Sequence, residues 1–260
     1  MLWRLGVIGS PIVHSLSPEL HEAGLRAAEL QGGSERYDVD LANFSAFIAT
    51  AGESFDALSV TAPLKTVAFE RAHELTDSAR VIGAINSMRF IDGKITGHNT
   101  DGEGFVNALR SRFETDFSGS HVVVLGAGGS ARAIIHSLVE IGVSSVAVHG
   151  RSEVNVERAC APYPNVFGFS LVYRPVDLIV NTIPISDRNQ EGAVLQGISP
   201  DSAVVDLSYD PRESKWLEMY NQFGCQTDNG LRMLAFQAAA QMSWWFNTPI
   251  DGQSLFRSIS

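Results

Sequence analysis

The run V-V-V-L-G-A-G-G-S-A, Val122 to Ala131, restricts what this chain can fold into more than any other stretch. An apolar strand core, His121–Leu125, ends in a glycine-rich turn, and helix periodicity follows over Ser130–Ile141. The turn holds G-x-G-x-x-A at Gly126, Gly128 and Ala131, with Ala127, Gly129 and Ser130 between them. Such a pattern alone is weak, but a strand before it and a helix after it supply the context of a dinucleotide fingerprint. Gly126 makes the tight turn and Gly128 lets the backbone approach a pyrophosphate. A small Ala131 lets helix and strand pack closely, and the helix N-terminus faces the phosphates. A plain strand–helix connection without a ligand is the alternative.

The next strand, Ser145–His149, bears on the cofactor, because an NAD site usually carries an acidic residue near its end to hold the ribose 2′-hydroxyl. This chain has Gly150, Arg151 and Ser152 there. A guanidinium fork beside a hydroxyl suits a 2′-phosphate, which favours NADP (NADPH when reduced). Glu153 follows at once and argues for NAD, and Arg151 also reads as a solvated surface charge.

At 260 residues the chain suits one large domain or two modest ones. Strand-like runs alternate with helix-period segments, which implies α/β layers and mostly parallel sheets. Leu5–Gly9 and Phe55–Thr61 read as strands, and a helix follows Ser17 with Leu20, Gly24, Ala27 and Ala28 at helical spacing. Ile85–Ile91 and Lys94–Thr100 form a hairpin about Asp92-Gly93, a type I′ signal. That turn sets Asn86 opposite Asn99 and Ala84 opposite Asp101, so Asn86, Asn99 and Asp101 share a face. Asp177–Thr182 and Ala203–Leu207 add strands, and Gly230–Phe246 is a long helix with an apolar stripe through Leu231, Leu234, Ala238, Met242 and Trp245. A domain boundary falls near Asp101, and the closing helix is expected to pack back on the first domain.

The formal net charge of −10 disfavours a nucleic-acid surface. No apolar run reaches the roughly 18–20 residues a bilayer span needs, and Met1–Gly9 has no leader pattern, so no membrane partner and a cytoplasmic location are expected. Cys160 and Cys225 lack metal-ligand spacing, which fits idle thiols in a reducing compartment and no metal site. Three lysines, Lys65, Lys94 and Lys215, stand against sixteen arginines. Lysine can release its proton usefully and arginine cannot, so a retained lysine is a candidate for chemistry. Composition bias explains the count equally well.

Near the N-terminus stands G-S-P-I-V-H-S-L-S-P. Ser17-Pro18 reads as N-cap and first helical residue, and the Ser15 and Ser17 hydroxyls suit either a bound carboxylate or a simple cap. Further on come S-V-T-A-P-L-K (59–65), G-A-I-N-S (83–87) and G-H-N-T-D-G-E-G (97–104). With the Ser-Leu-Ser-Pro segment, the G-A-G-G loop, Arg151-Ser152, Tyr209 and Pro211, and N-G-L-x-M-L-x-x-Q-A, these motifs stand in one order over nearly the whole length. In that order the chain strongly resembles the shikimate dehydrogenase family, which includes shikimate and quinate dehydrogenases.

The resemblance implies an α/β protein of two domains: an N-terminal α/β substrate domain, a Rossmann-like NADP-binding domain, and a cleft between them. The substrate-binding and catalytic domain is 1–101, completed by C-terminal helices in 230–260, and the NADP-binding domain is 102–229. It implies that Lys65 and Asp101 are the catalytic pair. Ser15, Ser17, Thr61, Asn86 and Gln237 would hold the substrate's carboxylate and hydroxyls, with Tyr209 close by. Gln237 also reads as a buried helix polar group. The implied partner is a small molecule, shikimate or 3-dehydroshikimate, handled by a monomer or homodimer. The chemistry fits: oxidising a secondary alcohol needs its proton removed as hydride leaves, and a lysine with a pKa near 10.4 needs tuning to serve. Desolvation lowers that value and a neighbouring carboxylate raises it, so the two groups are expected to titrate as a unit.

Three departures stand out. Ser59 replaces a frequent asparagine, Ser87 a frequent threonine, and N-T-I-P-I-S (181–186) the usual N-A-T-x-x-G-M beside the nicotinamide. None touches Lys65 or Asp101, so activity is expected to survive. Two rival readings are a quinate/shikimate dehydrogenase that uses NAD and a non-catalytic ligand-binding module on the same scaffold.

Overall fold

The computed structural model describes residues 2–168, 175–184, 197–210, 212 and 214–260. The chain divides into two compact units, Met1–Gly104 with Leu234–Ser260, and Phe105–Met233. In chain order the first unit contains β1 (Leu2–Gly9), α1 (Ser17–Ala27), β2 (Gln31–Asp38), α2 (Phe44–Ser54), β3 (Ala57–Val60) and α3 (Lys65–Arg71). Then follow β4 (Glu74–Leu75), α4 (Asp77–Ile82), β5 (Ser87–Ile91), β6 (Lys94–His98) and the first turn of α5 (Asp101–Phe113).

These strands form one sheet in the order β2-β1-β3-β5-β6-β4, in which β5 runs against its neighbours. Residues of β3 alternate between two cores. Leu58 and Val60 pack with Phe44, Ile48, Leu64 and Ile85, while Ala57 packs with Leu20, Ala238 and Met242. The hairpin turn has Asp92 at φ 50° and Gly93 at φ 74°, both positive as a type I′ turn demands, and the register pairs Ile91 with Lys94 and Ser87 with His98. The strands stop sooner than the sequence reading has them, however. Asp101 opens a helix, so alternation ends before it.

The second unit contains β7 (His121–Leu125), α6 (Gly129–Glu140), β8 (Ser145–His149), α7 (Glu153–Cys160), β9 (Val166–Gly168), β10 (Leu178–Asn181), β11 (Ala203–Asp206), α8 (Lys215–Phe223) and β12 (Gln226–Asn229). Its sheet is parallel throughout, in the order β12-β11-β10-β7-β8-β9. Counted from β7 this is the 3-2-1-4-5-6 order of a doubly wound dinucleotide fold. Its central strands are apolar runs because helices cover both faces: Val122–Val124 and Leu178–Val180 are buried.

The last helices, α9 (Gly230–Phe246) and α10 (Gly252–Ile259), follow. Leu234 onward belongs to the first unit, where Ala235, Ala238, Met242 and Trp245 pack on Leu5, Leu20 and Ala57. The spacing of α9 holds, but that of α1 is corrected: Ala27 is exposed, and the buried face runs through Leu20, His21, Gly24 and Leu25. Among the described residues no helix is long and apolar enough to cross a membrane.

Candidate active site

The topology of the first sheet gathers distant motifs at one edge. β1 and β3 are parallel, so their C-terminal ends lie on the same side; β5 begins there and β6 ends there. Ser15 and Ser17 follow β1, Thr61 and Lys65 follow β3, Asn86 precedes β5, and Asp101 follows β6. Tyr209 follows β11 and belongs to the other unit, and Pro211 lies outside the described residues.

Lys65 opens α3, and its Nζ donates to Asp101 Oδ2 at 2.5 Å. The two side chains are only 14% and 4% exposed, so removing Lys65 takes the cation from a buried carboxylate, at a cost of roughly 3–5 kcal/mol. The Lys65 carbonyl accepts from Ile85 N–H at 3.0 Å, which ties two motif segments together. In G-A-I-N, Gly83 closes α4 at φ 66°, a left-handed position that glycine takes without strain. Ala84 and Ile85 are then fully buried, which seats Asn86.

Asn86 is held at every polar atom. Its N–H donates to the His98 carbonyl at 3.1 Å, and its carbonyl accepts from Val60 N–H at 2.8 Å. The side-chain Oδ1 accepts from Thr100 N–H at 2.9 Å. Nδ2 faces Asp101 Oδ1 at 2.7 Å, Gln237 Oε1 at 3.0 Å and Thr100 Oγ1 at 3.0 Å. Two amide hydrogens among three acceptors leave one contact exchangeable when a ligand oxygen arrives. Asn99 is spent on the backbone: it receives the Asp101 N–H at 3.0 Å and donates to the Ala84 carbonyl at 2.9 Å. It pins the first turn of α5 rather than sharing a face with Asn86 and Asp101.

Gln237 reaches this edge because Gly104 has no side chain. A Cβ on Gly104 would sit 2.5 Å from the N, Cα and Cβ of Gln237. Thr100 Oγ1 also donates to the Gln237 carbonyl at 3.0 Å. Thr61 approaches β1 by the same device, since a Cβ on Gly9 would meet Thr61 Cγ2 at 2.4 Å.

Ser17 is not the N-cap the sequence suggests: Leu16 occupies that position, without a side-chain cap bond, and Ser17 is the first helical residue. Ser15 Oγ instead receives the Ser17 N–H at 3.3 Å and lies 3.2 Å from Ser17 Oγ. Arg36 donates to the Ser15 carbonyl at 2.7 Å and fixes the loop. Burial holds the His98 imidazole at a pKa of about 4, and its Nδ1 lies 2.9 Å from Thr76 Oγ1, so it adds no charge beside Asn86 at neutral pH. Ser87 Oγ is buried with no partner among the described residues.

In the second unit a cavity of about 460 Å³ opens at the C-terminal ends of β7, β8 and β10, where the strand order reverses. Gly126, Ala127, Gly128, Arg151 and Ser152 line it. Gly126 sits at φ 109°, and a Cβ there would strike Thr182 Oγ1, so only glycine fits. Gly128 caps α6, and a Cβ there would meet nothing within 4 Å. That open face exposes the backbone amides at the start of α6, where Gly129 and Ser130 lie, and Ala131 is fully buried against the sheet. Arg151 is exposed, and Ser152 caps α7 by accepting the Asn155 N–H at 3.3 Å. The residues present therefore fit a dinucleotide carrying an extra phosphate. No cluster among the described residues could hold a metal ion.

Sequence reasoning missed Thr100, Asn155 and Trp216. Thr100 stands inside the N-T-D-G motif, and Asn155 lies one helical turn beyond Arg151, so both carried a signal. Trp216 reaches the cavity only through tertiary packing. Of 181–186, Asn181–Pro184 line the cavity and the remaining two residues lie outside the described ones.

Comparison with known proteins bears on this geometry. A family model for the shikimate dehydrogenase substrate binding domain matches residues 7–88. The chain is 35% identical over 258 residues to the shikimate dehydrogenase (NADP(+)) of Roseobacter denitrificans, covering 95% of this chain and 93% of that one. It is 30% identical to the shikimate dehydrogenase (NADP(+)) of Desulfitobacterium hafniense, covering 100% and 98%. It is similar to the crystal structure of shikimate 5-dehydrogenase from Thermus thermophilus in complex with NADP(H) and shikimate, with a TM-score of 0.86, 30% identity and 98% of each chain covered.

Proposed function

Because the chain belongs to the shikimate dehydrogenase family, we propose that it reduces the ketone of 3-dehydroshikimate to shikimate with NADPH, reversibly, in the shikimate pathway towards aromatic amino acids. The observation that carries this reading is the Lys65–Asp101 pair at 2.5 Å, flanked by Asn86.

Lys65 and Asp101 are the catalytic residues. In the reducing direction the pair delivers a proton to the ketone oxygen as the carbon gains hydride; in the oxidising direction it accepts the hydroxyl proton. The 2.5 Å contact holds amine and carboxylate together, so that both face the same substrate oxygen. Asn86 and Gln237 orient the ring hydroxyls, and the exchangeable contact at Asn86 Nδ2 accommodates one of them. Ser15, Ser17 and Thr61 bind the carboxylate and neighbouring oxygens, with hydroxyls at the start of α1 suited to an anion. Tyr209 completes the substrate contacts.

NADPH supplies the hydride when bound. Gly126, Ala127, Gly128, Gly129, Ser130 and Ala131 hold its pyrophosphate against the N-terminus of α6, and Arg151 with Ser152 takes the 2′-phosphate. Free Cys160 and Cys225 support a cytoplasmic setting. The enzyme works as a monomer or homodimer, with neither nucleic acid nor membrane as a partner.

Steady-state rates with shikimate and quinate, each paired with NADP and NAD, test the assignment. Turnover concentrated in the shikimate–NADP pair is expected, and it should fall about 10²–10⁴-fold in Lys65→Ala. Preference for quinate with NAD would replace this reading with a quinate dehydrogenase. A folded protein that binds shikimate without reducing NADP would be a binding module.

A further inference from the structure

Behind the substrate edge lies a polar chain that the reaction as described does not use. His21 on α1 and Gln241 on α9 are both 0% exposed, and Ser59 on β3 is 6% exposed. Ser59 shares its strand face with Ala57, inside the apolar layer of Leu20, Ala238 and Met242, where a hydroxyl is out of place unless it is bonded.

The direction of every bond in this chain follows from one end. The Asn86 carbonyl can only accept, so Gln241 presents its NH₂ there, at 2.8 Å. Its Oε1 therefore faces Ser59, whose hydroxyl donates to it. With its proton committed, Ser59 Oγ accepts from His21 Nε2 at 2.9 Å, so the imidazole carries its proton on Nε2. Nδ1 is left to accept from Ser34 Oγ at 2.7 Å. The Trp245 ring stands edge-on to the imidazole, 5.1 Å between centroids, and fixes its plane. The result is a one-way series from Ser34 through His21, Ser59 and Gln241 to the Asn86 main chain, and Asn86 in turn holds Asp101 Oδ1.

We propose that Gln241, oriented by Ser59 and His21, is a positioning residue for the reduction, because its bond to the Asn86 carbonyl sets where Asn86 holds Asp101. The inference rests on the reading of Lys65 and Asp101 as the catalytic pair. A buried polar series is seldom a net source of stability over an apolar core of the same shape, so its use here is geometric. Displacing a reacting group by roughly 1 Å can cost about a hundredfold in rate.

The test measures turnover of 3-dehydroshikimate with NADPH in the full-length enzyme, with thermal melting and NADPH affinity as controls. Gln241→Leu is expected to lower kcat roughly ten- to a hundredfold, to change KM less, and to leave NADPH affinity at the wild-type value. A pair of substitutions at His21 separates positioning from folding. A glutamine amide places a donor where Nε2 lies, whereas an asparagine amide reaches only the Nδ1 side. His21→Gln should keep most of the turnover and His21→Asn should lose it as Gln241→Leu does, even if the latter folds poorly. Wild-type kcat in Gln241→Leu overturns the proposal. So does an equal loss in both His21 variants that follows their melting temperatures, which would mark the series as structural. If Lys65→Ala retains turnover, the catalytic reading fails instead, and the two failures are distinct.

Discussion

Gly104→Ala places one methyl group where α5 closely approaches the backbone of α9. The new Cβ would lie 2.5 Å from three atoms of Gln237, two of them backbone, so no side-chain rotation relieves it. Ordinary contact begins near 3.4 Å, so the first turn of α5 and the facing turn of α9 must part by about 1 Å. Parting breaks the Thr100–Gln237 and Asn86–Gln237 bonds, both 3.0 Å, each contributing about 1 kcal/mol. Residual overpacking costs about 1–3 kcal/mol, and the better helix propensity of alanine returns about 1 kcal/mol. The net loss is therefore roughly 2–4 kcal/mol, a drop in melting temperature of about 5–10 °C for a chain of this size. Because Asp101 rides on the displaced turn, kcat/KM for 3-dehydroshikimate should fall about a hundredfold. Thermal unfolding followed by circular dichroism, with NADPH absorbance for the rate, reads both quantities. A variant that melts at or above the wild-type temperature with an intact kcat/KM would refute the account of Gly104.

Other expectations follow from the same geometry. Lys65→Ala should lower kcat/KM by about 10²–10⁴-fold, and NADPH affinity, measured by fluorescence, should be retained because the dinucleotide cavity contains none of its atoms. Arg151→Ala should raise the KM for NADPH about ten- to a hundredfold while leaving that for NADH little changed; equal effects on both would remove Arg151 from 2′-phosphate recognition. His21 and His98 share an acid liability, since burial drops both imidazoles from 6.5 to about 4. Between those values the unfolded chain binds protons that the fold refuses, so stability is full above pH 6.5 and declines as pH falls towards 4. Each histidine accounts for about 3 kcal/mol of that decline. Imidazole proton resonances should stay unshifted down to about pH 5; a titration near 6.5 in the folded protein at either residue would contradict this.

Much of the dinucleotide half was legible because its constraints are local. A strand, a positive-φ glycine and a helix start occupy consecutive residues, and β7 and β8 follow the sequence reading closely. The hairpin was legible for the same reason, since Asp92-Gly93 fixes register within a few residues. What escaped was non-local. Strand β2, Q-G-G-S-E-R-Y-D, has poor strand propensity and exists because it pairs residue for residue with β1; a Cβ on Gly32 would meet the Trp3 carbonyl at 2.4 Å. Asp101 reads as the tail of a strand because helix periodicity is masked there by three glycine and acidic positions, while Asn99 supplies the bond that starts α5. His21, Ser59 and Gln241 are scattered over three elements, and each alone looks like an ordinary polar residue. Lys65 and Asp101 carry no local signal of their meeting either; the order of motifs along the chain led to them.

The substrate half is interrupted in sequence: Gln237 and Gln241 are separated from the strands they serve by the whole of Phe105–Met233. On the ribosome, therefore, the nucleotide-binding half can emerge and close as one continuous stretch while its sibling still lacks the helix that seals it. Chains ending just after β12 should bind dinucleotide yet remain catalytically silent, and a stop there leaves a protein that consumes cofactor binding capacity without turning anything over.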